Sequence, residues 1–176
     1  MPSTTGLTGR TRATLAALAL ALGAHGPLAA ANPERATRYY EDAVARADRN
    51  DAAGAIVQLK NALQQDPRML AAQILLGKLL LEQGDAAAAE AALEQALRLG
   101  VDRTEIVVPL AQAALALGHA DRVLERFGPE GLTPAQRAEL ALIRGNAYRI
   151  KGDLAAAAQS YRDARALEPR SLPAVL

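Results

Sequence analysis

From Ala36 onward, apolar residues return every three or four positions in blocks of roughly a dozen, the spacing of a helix with one buried stripe. Between blocks stand Gly or Asn followed by a residue able to cap. Gly84, Gly118 and Gly152 recur with a constant period of 34, Asn50 shares their phase, and Asp51, Asp85, His119 and Asp153 follow them. The same phase aligns Ala55, Ala89, Val123 and Ala157, then Leu59, Leu93, Phe127 and Tyr161, then Ala62, Ala96, Glu130 and Ala164. Pro67 and Pro169 close two of the units. The period predicts four helical hairpins over 36–69, 70–103, 104–137 and 138–171, with 172–176 as the truncated start of a fifth.

Each hairpin has a physical grammar. Gly or Asn takes the positive φ that ends the first helix, and the following Asp accepts from free amides of the second, worth about 1 kcal/mol. Alanine at 55, 89 and 157 lets the two helices approach, and the larger residue four positions on fills the gap. One hairpin buries a single stripe, whereas stacked hairpins share a continuous core. Composition agrees: alanine and leucine make up about two fifths of the 176 residues and aromatics only 3%. The expected fold is all-α, a right-handed α-solenoid.

Some positions depart from the pattern. Unit three has Val123 and Glu130 at small-residue positions, and Gly128-Pro129-Glu130-Gly131 should cut its second helix short before Thr133 and Pro134 start another as N-cap and N1. Pro109 inside its first helix predicts a late start or a kink near Val108. Asp42 and Arg46 in unit one suit an end repeat with one face in water. Glu90, Glu94 and Arg98 recur every four residues and read as a solvated face with modest ion-pair support.

Positions 1–31 read as a secretory signal. Arg10 and Arg12 precede the uncharged stretch Ala13 to Leu22, and Leu28-Ala29-Ala30-Ala31 supplies a small-residue cleavage site after Ala31. This stretch of ten is too short for a membrane span, which needs about 20 residues. The mature chain is expected to have no transmembrane helix and at most a peripheral envelope association. Removing the segment leaves 18 basic against 19 acidic residues, so a nucleic-acid partner loses its electrostatic support. The absence of cysteine excludes disulfides, thiolate metal sites and an acylated lipoprotein cysteine, and fits an oxidising periplasm.

The period resembles the tetratricopeptide repeat (TPR). Unit four carries the resemblance best, with Gly145, Tyr148, Ala157, Tyr161, Ala164 and Pro169 at that family's small, large and proline positions. Unit two supplies Gly77, Leu80, Ala89, Leu93 and Ala96, with Val101 in place of proline. The segments Gly54–Pro67 and Leu80–Glu90, and Leu99-Gly100-Val101-Asp102, resemble the opening repeats of the exported TPR proteins of the PEP-CTERM/exosortase system. That resemblance implies a role in exopolysaccharide production or protein sorting at the Gram-negative envelope. This chain lacks the lipidation cysteine of that family and is far shorter than its usual members.

The TPR resemblance also implies a concave groove lined by the first helix of each unit. Its fifth positions give Tyr40, Ile74, Val108 and Leu142, and its ninth positions Val44, Lys78, Gln112 and Asn146, with Arg149 beside them. An apolar stripe with a polar margin suits a protein or peptide segment with repeating apolar anchors. The lysines that define the carboxylate-clamp subclass are missing.

Residues suited to catalysis are sparse. His119, the sole histidine after signal removal, occupies a turn position and has no histidine or cysteine at ligand spacing. Ser160 and Ser171 sit in no nucleophile elbow, Glu125 and Glu130 are paired surface acids, and no phosphate-cradling loop or dinucleotide fingerprint occurs. The expectation is a periplasmic, non-catalytic binding scaffold with neither cofactor nor metal. Two alternatives stay open: a periplasmic chaperone or assembly factor for envelope proteins, and the repeat arm of a larger envelope enzyme whose catalytic part lies elsewhere.

Overall fold

The computed structural model describes residues 32–167; the expected signal (1–31) and the start of a fifth unit (172–176) lie outside them. The described residues form eight helices: α1 (Pro33–Ala47), α2 (Ala52–Gln65), α3 (Leu70–Glu82), α4 (Ala86–Arg98), α5 (Arg103–Ala116), α6 (Ala120–Arg126), α7 (Pro134–Ile150) and α8 (Leu154–Leu167). Each odd-numbered helix pairs with the next, and neighbouring pairs pack through α2 on α3, α4 on α5, and α6 on α7. The fold is all-α, as the period requires.

The four hairpin turns repeat one hydrogen-bond pattern. The amides of Asp51, Asp85, His119 and Asp153 donate to the carbonyls of Arg46, Leu80, Ala114 and Tyr148 at 2.9–3.0 Å. The preceding Asn50, Gly84, Gly118 and Gly152 have φ of 60°, 80°, 78° and 80°. This is the turn in which a left-handed residue lets orphan carbonyls of the first helix find donors. The carboxylates of Asp51, Asp85 and Asp153 then accept from the amides of Gly54, Ala88 and Ala156 at 2.9–3.1 Å. His119 holds the corresponding position with no side-chain cap bond, consistent with a turn residue.

Packing inside each hairpin follows the small-against-large rule. A Cβ on Gly77 would collide with the Leu93 side chain, and one on Gly145 with the Tyr161 ring. Ala43, Ala55, Ala89 and Ala111 are fully buried, as are Leu59 and Leu93. Two core clusters result, one shared by α1–α4 and one by α4–α7, and the half-buried Leu81 packs against both.

Unit three differs, in part as expected. Its second helix, α6, is only 7 residues long, and Thr133 caps α7 through a reciprocal bond with Gln136. The expected late start of α5 is corrected: the helix begins at Arg103, capped by Asp102, and runs on through Pro109 to Ala116. Pro109 has no N–H to offer, so the carbonyl of Glu105 four positions earlier loses its helical donor, yet the surrounding packing holds the helix together. Ile106, Val107, Val108, Leu110 and Ala111 are all buried around it.

The reading of Glu90, Glu94 and Arg98 as a solvated face with ion-pair support holds for Arg98, which is exposed and lies 3.9 Å from Glu94, and is corrected for Glu90. Glu90 is only 17% exposed, and Arg122 on α6 reaches it at 2.5 Å and Glu94 at 2.6 Å. A single guanidinium thus ties α4 to α6 across the unit boundary, where the charge-charge attraction is less screened than at a free surface. Arg46 on α1 bridges Asp42 and Asp51 at 3.0 Å each, so the polar residues of the first unit satisfy one another.

Candidate binding cleft

The first helices of units two, three and four meet around a cleft of about 510 Å³. Helix α3 contributes Lys78, Leu81 and Glu82; α5 contributes Glu105, Val108, Pro109 and Gln112; α7 contributes Gln136 and Glu139. The helical rise explains the selection: Lys78 to Glu82 and Glu105 to Pro109 to Gln112 are steps of three or four positions and so stack on one face. Glu105 and Glu139 are separated by one full repeat, so successive hairpins bring equivalent positions side by side.

Two polar ties set the far wall. The Gln112 amide donates to Glu139 at 2.6 Å, joining α5 to α7. The Gln136 amide donates to the carbonyl of Thr104 at 2.8 Å while its oxygen accepts from Thr133. One residue thus completes the cap of α7 and fixes that helix against the start of α5.

Of the residues the sequence assigned to the groove, the structure gathers Lys78, Val108 and Gln112 into this cleft. Val108 is 5% exposed and forms floor rather than a free anchor. Tyr40 packs against the first core cluster and Ile74 against the second. Asn146 accepts from the Tyr161 hydroxyl at 2.9 Å, which engages it with α8. Val44 and Leu142 are half-buried and Arg149 is exposed, all outside the cleft lining. The reading by fifth and ninth positions missed Glu82, Glu105 and Glu139. The phase of the repeat held the signal for the last two, which occupy the second position of their units.

A second cleft of about 500 Å³ opens where α6 stops. Glu125 and Glu130 line it beside Arg137 and Arg144. Arg144 is occupied, donating at 3.0 Å to the carbonyls of Leu124 and Phe127 and so capping the shortened helix. Among the described residues there is no group of three or more His, Asp or Glu able to hold a metal ion, and no helix long and apolar enough to cross a membrane.

A family model described as tetratricopeptide repeat matches residues 46–107. The paired helices have the TPR fold. The crystal structure of MamA superposes with a TM-score of 0.64 at 19% identity, over 80% of this chain and 82% of that one. The first TPR of Spaghetti (RPAP3), bound to the HSP90 peptide SRMEEVD, gives a TM-score of 0.50 at 13% identity, over 77% of this chain and 94% of that one. At these identities the likeness is one of fold. No curated protein matches the sequence. In TPR terms the cleft belongs to the face made by the first helices, and the ion pairs of Arg122 lie on the second helices.

Proposed function

We propose that this chain is a non-catalytic TPR scaffold that acts after export in the bacterial envelope, holding a segment of a partner protein in the cleft of α3, α5 and α7. One observation carries the docking reading: three successive hairpins place equivalent faces side by side, so a track forms that an extended segment can follow. The fold is one that, in the Spaghetti (RPAP3) domain, holds a peptide.

Export rests on the signal-like segment from Arg10 to Ala31. Assignment to exopolysaccharide assembly or PEP-CTERM protein sorting rests on the wording of Gly54–Pro67 and Leu80–Glu90. Under this reading the periplasm supplies the partner, and recognition is contact without reaction.

Two arms test the proposal. A C-terminally tagged chain expressed in a Gram-negative host should fractionate with the periplasm and begin at Asn32 after cleavage behind Ala31; retention of full-length protein in the cytosol contradicts export. Gln112→Trp would put a large ring in the middle of the cleft. It should abolish capture of an envelope protein that the wild type retains, with an unchanged circular-dichroism spectrum, and equal capture by both rejects the cleft.

A further inference from the structure

The cleft's charge has a sign. Its lining carries the carboxylates of Glu82, Glu105 and Glu139 against the single ammonium of Lys78. Elsewhere acids and bases find each other: Arg46 with Asp42 and Asp51, Arg122 with Glu90 and Glu94, Lys151 with Asp121. In the cleft, no charged pair among the described residues lies within salt-bridge distance, and Glu139 has only the neutral Gln112 amide.

Its hydrogen-bonding capacity leans the same way. Gln112 and Gln136 each spend one of their two amide N–H groups within the protein, on Glu139 and on the Thr104 carbonyl. Pro109 withholds the N–H that the Glu105 carbonyl would otherwise use. Apart from Lys78 and the remaining N–H of each glutamine, the cleft offers acceptors, three of them carboxylates, and a ligand must bring the positive charge. Beneath them Leu81, Val108 and Pro109 form an apolar floor.

We propose, resting on the docking reading above, that the cleft takes an extended cationic peptide segment: arginine or lysine side chains set against Glu82, Glu105 and Glu139, alternating with an apolar residue seated on Val108 and Pro109. Three helices packed about 10 Å apart present a track of about 20 Å, which roughly six extended residues cover. In a strand, alternate side chains point to opposite sides, so one set reaches the apolar floor while the other meets the acidic rim. A segment of the opposite sign would leave its own carboxylates facing these three with Lys78 alone to receive them. The partner is therefore a basic, partly apolar stretch of protein chain.

Fluorescence anisotropy with two labelled peptides of about six residues, one alternating leucine with arginine and the other leucine with glutamate, tests this. The wild type should bind the arginine peptide about tenfold more tightly than the glutamate peptide, with the gap narrowing as salt is raised. The Glu82→Lys/Glu105→Lys variant should reverse the preference, a gain that also shows it is folded. Equal or tighter binding of the glutamate peptide by the wild type overturns the charge assignment and leaves docking in the cleft standing, whereas an unchanged preference in the variant puts the peptide elsewhere and overturns both. Binding of neither peptide overturns both.

Discussion

In the hairpin of α3 and α4, Gly77 faces Leu93 and alanines at 89, 92 and 96 fill the rest of the seam. In the next hairpin, α5 is a run of buried β-branched and leucine residues around a proline, and α6 stops after two turns. There polar side chains add to the burial of Val123 and Phe127: Arg144 takes the end carbonyls of α6, Arg103 donates to the Arg126 carbonyl, and Arg122 holds two carboxylates of α4. The two units share a length and a phase, but one is held by shape alone and the other adds hydrogen bonds and charge to its apolar core. A repeat can therefore lose half of a helix and keep its place in the stack, provided the backbone groups so exposed are given partners.

The largest effect should appear where shape alone acts. Leu93→Ala removes a fully buried side chain and should cost about 3 kcal/mol in urea unfolding. Gly77→Ala puts a methyl where Leu93 sits and should cost roughly 2 kcal/mol. The double variant should cost clearly less than the sum, because the new methyl occupies the space the leucine leaves. Additive losses would mean that the two residues do not share a site.

In the irregular unit the expected losses are smaller and of another kind. Arg144→Met keeps the bulk but strips the donors from two carbonyls, for about 2 kcal/mol. Arg122→Met should cost about 1 kcal/mol, since its partners are partly exposed. Raised salt should weaken the Arg122 contribution more than that of Arg144. If both variants unfold at the wild-type urea concentration, the polar ties are incidental.

The smallest effect concerns the first turn. The Gly54 amide and then the Arg46 guanidinium hold the Asp51 carboxyl below its ordinary value of 3.8. A depressed carboxylate contributes stability that is fully present above 3.8 and is lost as pH falls through its lower folded value. The stability gap between wild type and Asp51→Asn should thus be constant near neutrality and close only in strong acid. Urea midpoints followed down in pH check this, and a gap that closes near neutral pH contradicts it.

The hairpins, their caps and the short α6 were legible because each depends on residues close in sequence: Gly84 with Asp85, Thr133 with Pro134, Gly128 with Pro129. A fixed period then carried that local grammar along the chain. The early start of α5 at Arg103 was not legible, since the cost of Pro109 is local whereas the packing of Ile106, Val107 and Leu110 that offsets it comes from neighbouring hairpins. The clamp of Arg122 on Glu90 and Glu94 was hidden for the same reason, its partners lying on the preceding hairpin. At the cleft, apolar residues drew attention to the fifth positions, but the stack buries Val108 and packs Tyr40 and Ile74 against the core. The acids beside them were left to define the opening.

Docking in the cleft between the first helices is the centre of this account. Titration of the isotopically labelled chain with the leucine–arginine peptide, followed by amide chemical shifts, tests it most directly. The largest changes should fall on Lys78, Leu81, Glu82, Glu105, Gln112 and Glu139, with α2 and α8 quiet. Shifts concentrated on the second helices of the hairpins, or around Arg137 and Arg144 at the end of α6, would contradict it.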